Sequence, residues 1–272
     1  MTRDDRWIRP IRPAPQAPAV LVCLAHAGGS AAFFHQFAGM PADVAEMLAV
    51  QYPGRQERRT EASITSLTEL ADRVTEALMP YTTRPMVLFG HSMGGLVGHE
   101  VAARLTTAGR RPSALVVSGA RAPSRHRDES VHRRSEAGIV DELRRLGGVD
   151  PAFLDDPELL QMIMPPLRGD YRAIESYRPV PGTPSPVPIT VLTGDQDPMV
   201  TAEDAAAWSR HTSGGFALHT FSGGHFYLTE HIPEILAILC DVVTGAAKAA
   251  PDSPRNLDAR LEPVPGRGGR ND

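Results

Sequence analysis

The pentapeptide Gly90-His91-Ser92-Met93-Gly94 sets a serine between glycines two positions away on either side. That spacing suits a tight turn whose neighbours must be nearly free of side chains, the geometry that raises a nucleophilic hydroxyl above the edge of a sheet. The chemistry open to such a hydroxyl is acyl transfer. Alone it is a weak nucleophile at neutral pH, so it needs a base within hydrogen-bond reach and a carboxylate that fixes the tautomer of that base. An ordinary N-cap serine in a glycine-rich turn leaves the paired glycines unexplained. The apolar run Met86 to Phe89 precedes the turn, and Leu96, Val97, Val101 and Leu105 follow at helical spacing. Strand before and helix after give the pentapeptide its meaning. They also aim the N–H of Met93, at the positive end of a helix, at the space where an oxyanion would form.

The chain holds ten histidines, and His225 is the best placed to be the base. It lies in Ser222-Gly223-Gly224-His225, directly after the strand-like Phe216 to Phe221 and ahead of a long apolar helix. His91, His99, His211, His219 and His231 read as ordinary surface loop residues, a reading that does not single any of them out. In proteins built on this elbow the acid falls between serine and histidine in chain order. The run Ile189 to Leu192 leads into Thr193-Gly194-Asp195-Gln196-Asp197-Pro198, which offers two carboxylates. Pro198 biases Asp197 towards an extended loop conformation with a free side chain, whereas Asp195 follows the Gly194 turn and suits a backbone contact. Asp197 is therefore the expected orienter. A second oxyanion donor belongs in the glycine-rich turn His26-Ala27-Gly28-Gly29-Ser30, and Ala27 is its expected position. This turn lacks the Gly-Lys-Ser/Thr ending of a phosphate loop.

These residues require a scaffold of strands feeding loops at one edge. Short apolar runs at Ala19 to Leu24, Met47 to Val50, Met86 to Phe89, Ala114 to Val117 and Ile189 to Leu192 alternate with segments of helical periodicity such as Leu67, Leu70, Val74 and Leu78. Such alternation predicts an α/β fold, a mostly parallel sheet flanked by helices on both faces. The rhythm breaks at about 122–188, where charged helical stretches replace strands. A helical insertion there is expected to act as a lid over the crevice at the strand ends. The reading divides the chain into a polar N-terminal extension (1–18), a catalytic domain (19–248) and a disordered tail rich in Pro, Gly and charge (249–272).

Composition narrows the function further. The chain has 272 residues, 42% of them hydrophobic and 22% charged, with a formal net charge of −4. That is enough for one large domain, and it offers no basic excess to hold nucleic acid. No apolar run approaches the ~20 residues needed to cross a bilayer, and the Arg- and Pro-rich start lacks the core of a secretory signal. Two cysteines, Cys23 and Cys240, read as unpaired apolar residues, which favours a cytoplasmic location. No residue cluster suggests a metal or cofactor site. A monomer is the default expectation.

Six segments taken together resemble the type II thioesterases, the freestanding editing enzymes of polyketide and nonribosomal peptide synthesis. They are LAHAGGSAAFF from Leu24, QYPGRQER from Gln51, FGHSMGG from Phe89, PLRGDYRAIESY from Pro166, TGDQDP from Thr193 and GGHFYL from Gly223. The resemblance implies an α/β-hydrolase fold, Ser92, Asp197 and His225 as a triad, and Ala27 and Met93 as oxyanion donors. It implies that 122–188 is a mobile lid over an acyl pocket. The substrate would be an acyl group on the phosphopantetheine arm of an acyl or peptidyl carrier protein, with no cofactor of the enzyme's own. Gly169 departs from the pattern, standing where a small non-glycine residue is usual, at a helix-propensity cost of up to ~1 kcal/mol. The alternatives are a carboxylesterase acting on free small esters, and a non-catalytic binding protein of the same fold. The intact set of site residues opposes the latter.

Overall fold

The computed structural model describes residues 6–180 and 182–249. Its centre is a seven-stranded sheet: β1 (Ile8–Arg12), β2 (Val20–Leu24), β3 (Glu46–Val50), β4 (Met86–His91), β5 (Ala114–Ser118), β6 (Ile189–Gly194) and β7 (Phe216–Phe221), in the order β1-β3-β2-β4-β5-β6-β7. All neighbours from β3 to β7 are parallel, and β1 alone runs antiparallel, against β3. β2, β4 and β5 are buried along their whole length, as continuous apolar strands of a doubly covered sheet must be.

The order reverses between β3-β2 and β4-β5, and this places the loop after β2 beside the loop after β4. A reversal of this kind opens a crevice at the carboxyl ends of the strands, where α/β proteins bind ligands. The elbow serine stands at that point.

Helices α1 (Leu67–Leu78) and α2 (Met93–Thr107) cover the sheet with the apolar positions read from the sequence: Leu67, Leu70, Val74 and Leu78 on one, Val97, Val101 and Leu105 on the other. Ser66 caps α1 by accepting the Glu69 N–H. Between β5 and β6 the chain leaves the sheet to form α3 (Glu136–Leu146), α4 (Pro151–Leu154) and α5 (Pro157–Ser176). Val131, Ile139, Val140, Leu143, Leu154, Met164, Leu167 and Tyr171 form a separate apolar cluster under these helices. The insertion thus carries a small core of its own. A short helix α6 (Ala202–Ala206) follows β6, and α7 (Ile232–Ala249) closes the fold.

The N-terminal boundary requires a correction. Residues 8–12 are not part of a polar extension but form an edge strand, with Ile8 opposite Val50 and Pro10 opposite Leu48. Trp7, Ile8 and Ile11 are buried, and Arg58 lies over the Trp7 ring, 4.2 Å from its centroid. The alternation was hidden because a register shift between Pro10 and Arg12 breaks the period of two. Proline in a strand, which argues against a central position, is compatible with an edge. The tail expected to be disordered lies outside the described residues beyond Ala249.

Candidate active site

Ser92 follows β4 directly and precedes the first residue of α2. Its backbone has φ 55° and ψ −119°, a left-handed conformation costly for any residue with a side chain. The turn is held from two sides. The Ser92 N–H donates to the Ser118 carbonyl of β5 at 2.7 Å, and the Ser92 carbonyl accepts from Gly95 N–H at 2.9 Å. The flanking glycines are steric requirements: a Cβ on Gly90 would lie 2.1 Å from the Gly94 oxygen, and one on Gly94 would lie 2.0 Å from the Leu24 oxygen. No rotamer relieves either clash, because both obstacles are backbone.

The three residues singled out from the sequence meet at this edge. Ser92 Oγ lies 3.0 Å from Nε2 of His225, and Nδ1 of His225 lies 2.9 Å from Oδ2 of Asp197. A carboxylate can only accept, so Nδ1 carries the ring proton and Nε2 presents its lone pair to the serine hydroxyl. Asp197 Oδ1 accepts the Met199 N–H at 2.8 Å, so both oxygens are engaged and the carboxylate cannot swing away. Asp195 is used differently: it accepts the Gly223 N–H at 2.9 Å, tying the loop after β6 to the loop that bears His225. Gly194 allows these loops to touch, since a Cβ there would fall 2.4 Å from the Gly223 oxygen.

His225 is 3% exposed and lies in an aromatic nest with ring centroids at 5.1 Å from His91 and 5.4 Å from Phe226. His26 packs edge-on against Phe33 and Phe226. Burial, the largest cause, together with the neighbouring His225 and Arg55 lowers the pKa of His26 to about 3, and burial likewise holds His91 well below the ordinary imidazole range. Both rings are neutral at physiological pH.

Ala27 and Met93 line a cavity of about 380 Å³ together with Ser92 and His225. Met93 opens α2, and the N–H groups of a first helical turn have no acceptor within the helix. The cavity runs under the insertion, which supplies Leu143, Leu146, Val149, Phe153, Ile163 and Leu167 to its walls. An apolar space of this size leading away from the Ser92 hydroxyl suits an acyl chain. Among the described residues, no three His, Cys, Asp or Glu side chains are grouped as a metal ion would require, and no helix is long and apolar enough to cross a membrane. Cys23 and Cys240 are both free thiols.

Two residues beside the site were not identified by sequence reasoning. Asp170, on α5, accepts the Gly28 N–H at 2.7 Å, and its carboxylate pairs with Arg55 from the loop after β3. Both fall in segments that carry the family resemblance, QYPGRQER and PLRGDYRAIESY, and that was the available signal. Gly169, the departure from the pattern, faces Ser63: a Cβ there would lie 2.8 Å from the Ser63 Cβ, so the glycine lets α5 approach the body of the protein closely.

A strained serine on a strand-to-helix turn, a histidine after the last strand and an aspartate after the one before it, on a mostly parallel sheet, define an α/β-hydrolase. The thioesterase domain family matches residues 19–242, and the chain belongs to that family. It is a thioesterase of the serine-hydrolase class. It is 47% identical over 237 residues to a probable cadicidin biosynthesis thioesterase from Streptomyces griseus, covering 86% of this chain and 66% of that one. With thioesterase PikA5 from Streptomyces venezuelae it shares 44% identity over 249 residues, 91% of this chain and 88% of that protein. Among solved structures, the type II thioesterase BorB from the borrelidin biosynthetic cluster superimposes with a TM-score of 0.83 at 49% identity, covering 89% of this chain and all of that one. The family expected from the six segments is the family found.

Proposed function

We propose that this protein hydrolyses acyl groups from the phosphopantetheine arm of acyl or peptidyl carrier proteins, acting in trans on stalled or aberrant units of polyketide or nonribosomal peptide synthesis. The observation that carries the reading is the continuous relay Ser92–His225–Asp197 opening into an apolar cavity. Ser92 Oγ attacks the thioester carbonyl while His225 Nε2 takes its proton. The carbonyl oxygen becomes an oxyanion, and the N–H groups of Ala27 and Met93 stabilise it. His225 returns the proton to the departing sulfur, so that the phosphopantetheine thiol leaves and an acyl ester on Ser92 remains. Water then gives its proton to His225 and attacks that ester, and the carboxylic acid departs as Ser92 recovers its hydrogen. Throughout, Asp197 stabilises the imidazolium and fixes its tautomer. The sequence of steps consumes water alone and needs no cofactor of the enzyme.

Support for the carrier-bound substrate comes from the likeness to thioesterases whose names tie them to cadicidin biosynthesis and to the borrelidin biosynthetic cluster. The two free thiols suit a reducing compartment, and we place the enzyme in the cytoplasm on that ground. The test is mass spectrometry of carrier proteins loaded with a panel of acyl groups, before and after incubation with the enzyme. Loss of the acyl mass, with turnover far above that of a p-nitrophenyl ester of equal chain length, is the expected result. The opposite preference would establish a carboxylesterase instead.

A further inference from the structure

We infer that Arg55 and Asp170 are positioning residues of the hydrolysis, a buried clamp that sets the loop after β2 so that the Ala27 N–H faces the developing oxyanion. The inference rests on Ala27 being an oxyanion donor, as proposed above.

The two side chains come from distant parts of the chain, 115 residues apart, and meet where they are only 6% and 2% exposed. Their bonds converge on one short loop. Asp170 Oδ2 takes the Gly28 N–H at 2.7 Å, while Arg55 Nε donates to the Gly29 carbonyl at 3.0 Å and Nη1 to the Pro53 carbonyl at 2.7 Å. The remaining Arg55 nitrogen, Nη2, pairs with Asp170. Gln51 completes the junction: its Oε1 accepts the Ala31 N–H at 2.8 Å and its Nε2 donates to the Arg55 carbonyl at 3.2 Å. The loop is thus gripped at Gly28, Gly29 and Ala31, immediately after Ala27. Holding the Gly28 N–H fixes the Ala27–Gly28 peptide plane, which leaves the adjoining His26–Ala27 plane, the one that carries the Ala27 N–H, only the rotation about the Ala27 Cα, and Ala27 lines the cavity beside Ser92. Gly28 itself has φ +75°, and a Cβ there would lie 2.9 Å from Leu167 Cδ1, so the same helix that carries Asp170 also shapes the loop sterically.

A buried ion pair is a poor way to gain stability, since removing two charges from water offsets most of their attraction. It is a good way to fix geometry when each remaining donor and acceptor is aimed at a particular backbone group. Here those groups belong to the loop on which oxyanion stabilisation depends. Because Asp170 lies on α5, the insertion supplies part of the catalytic framework as well as a cover for the acyl chain.

The clamp is tested with Asp170→Ala, Asp170→Asn and Arg55→Lys. Asparagine keeps an oxygen for the Gly28 N–H without the charge. Lysine keeps the charge but cannot reach Asp170 and two carbonyls at once. For each folded variant, assayed well below its melting temperature, kcat and KM are measured on an acyl-carrier substrate, along with the affinity for an alkyl boronic acid that adds to Ser92 as a tetrahedral anion. Loss of a single oxyanion donor lowers kcat about 10²- to 10³-fold. Asp170→Ala is expected to approach that loss with KM changed less than about threefold and boronate affinity reduced in parallel, whereas Asp170→Asn recovers a large part of kcat. Arg55→Lys should lie between them. Variants that melt earlier yet keep parental kcat and boronate affinity would overturn the clamp and leave the pair a merely structural one. A parent enzyme that loads no acyl group on Ser92 would instead count against the reading of the site itself.

Discussion

Two serine–histidine pairs lie side by side in this protein, each with a 3.0 Å contact: Ser92 with His225, and Ser118 with His91. Their ring centroids are only 5.1 Å apart. Everything beyond the pair differs. Ser92 stands on a strained turn and lines the cavity, and its histidine is backed by a carboxylate. Ser118 ends β5 fully buried, its oxygen also bonded to the Tyr227 hydroxyl at 2.7 Å, and His91 Nε2 has no partner among the described residues. An imidazole held neutral by burial, without an orienting carboxylate, cannot gain a proton cheaply as a nucleophile attacks. The Ser118 pair instead holds the machinery in place. Its backbone accepts the Ser92 N–H, and its side chain bridges His91, next to the elbow, to Tyr227, two residues beyond His225. A serine–histidine hydrogen bond therefore does not identify a nucleophile. Access to substrate, backbone strain and a third group do.

The contrast can be broken most directly at the two serines. Ser92→Ala is expected to lower kcat by about 10⁴- to 10⁶-fold and to abolish the acyl-enzyme seen by intact-protein mass spectrometry, with an unchanged melting temperature. If Ser118→Ala gave that result and Ser92→Ala did not, the roles assigned here would be reversed. Asp197→Asn should cost about 10⁴-fold in kcat by stabilising the wrong imidazole tautomer; a loss below tenfold would show that His225 needs no orienter. Ser118→Ala sharpens the contrast from the other side. It leaves Tyr227 and His91 short of a buried partner, at about 1–3 kcal/mol of stability in denaturant unfolding, with kcat within about tenfold of the parent.

Stability should also depend on pH. His26 titrates at about 3 and His99 at about 4, both lowered chiefly by burial, and His91 is lowered in the same direction. Unfolding restores each to the ordinary value of about 6.5, so between that pH and the folded values the unfolded chain binds more protons. The stability associated with these neutral rings is complete above about pH 6.5 and drains away as the pH falls, by up to ~1.4 kcal/mol per pH unit for each. Melting temperatures measured from pH 8 to 4 should decline accordingly, and a flat profile would show that none of these rings is held neutral by the fold.

Much of this was legible in the sequence because the information was local. The continuous apolar runs became the parallel strands, and the Gly-x-Ser-x-Gly turn became the elbow because its glycines answer clashes with backbone a few residues away. Asp197 was separable from Asp195 by one neighbouring proline, and the two do have different partners. Contacts between distant segments were not legible. Each of Arg55 and Asp170 lies in a segment that carries the family resemblance, but nothing in either segment announces that the two side chains meet. The strand at Ile8–Arg12 was missed because two arginines, a proline and a shift of register leave too little alternation to read.

That strand has a practical side. β3, with the sequence EMLAV, would otherwise end the sheet as a flat apolar border with open hydrogen-bonding groups, a template for joining another molecule's strand. The segment IRPIR occupies that border, and its own outer rim, broken by an imino acid and lined with cations, is poorly suited to recruit anything further. A version of the protein trimmed back to Ala19, where the family match begins, would lose this guard and be prone to aggregate through β3.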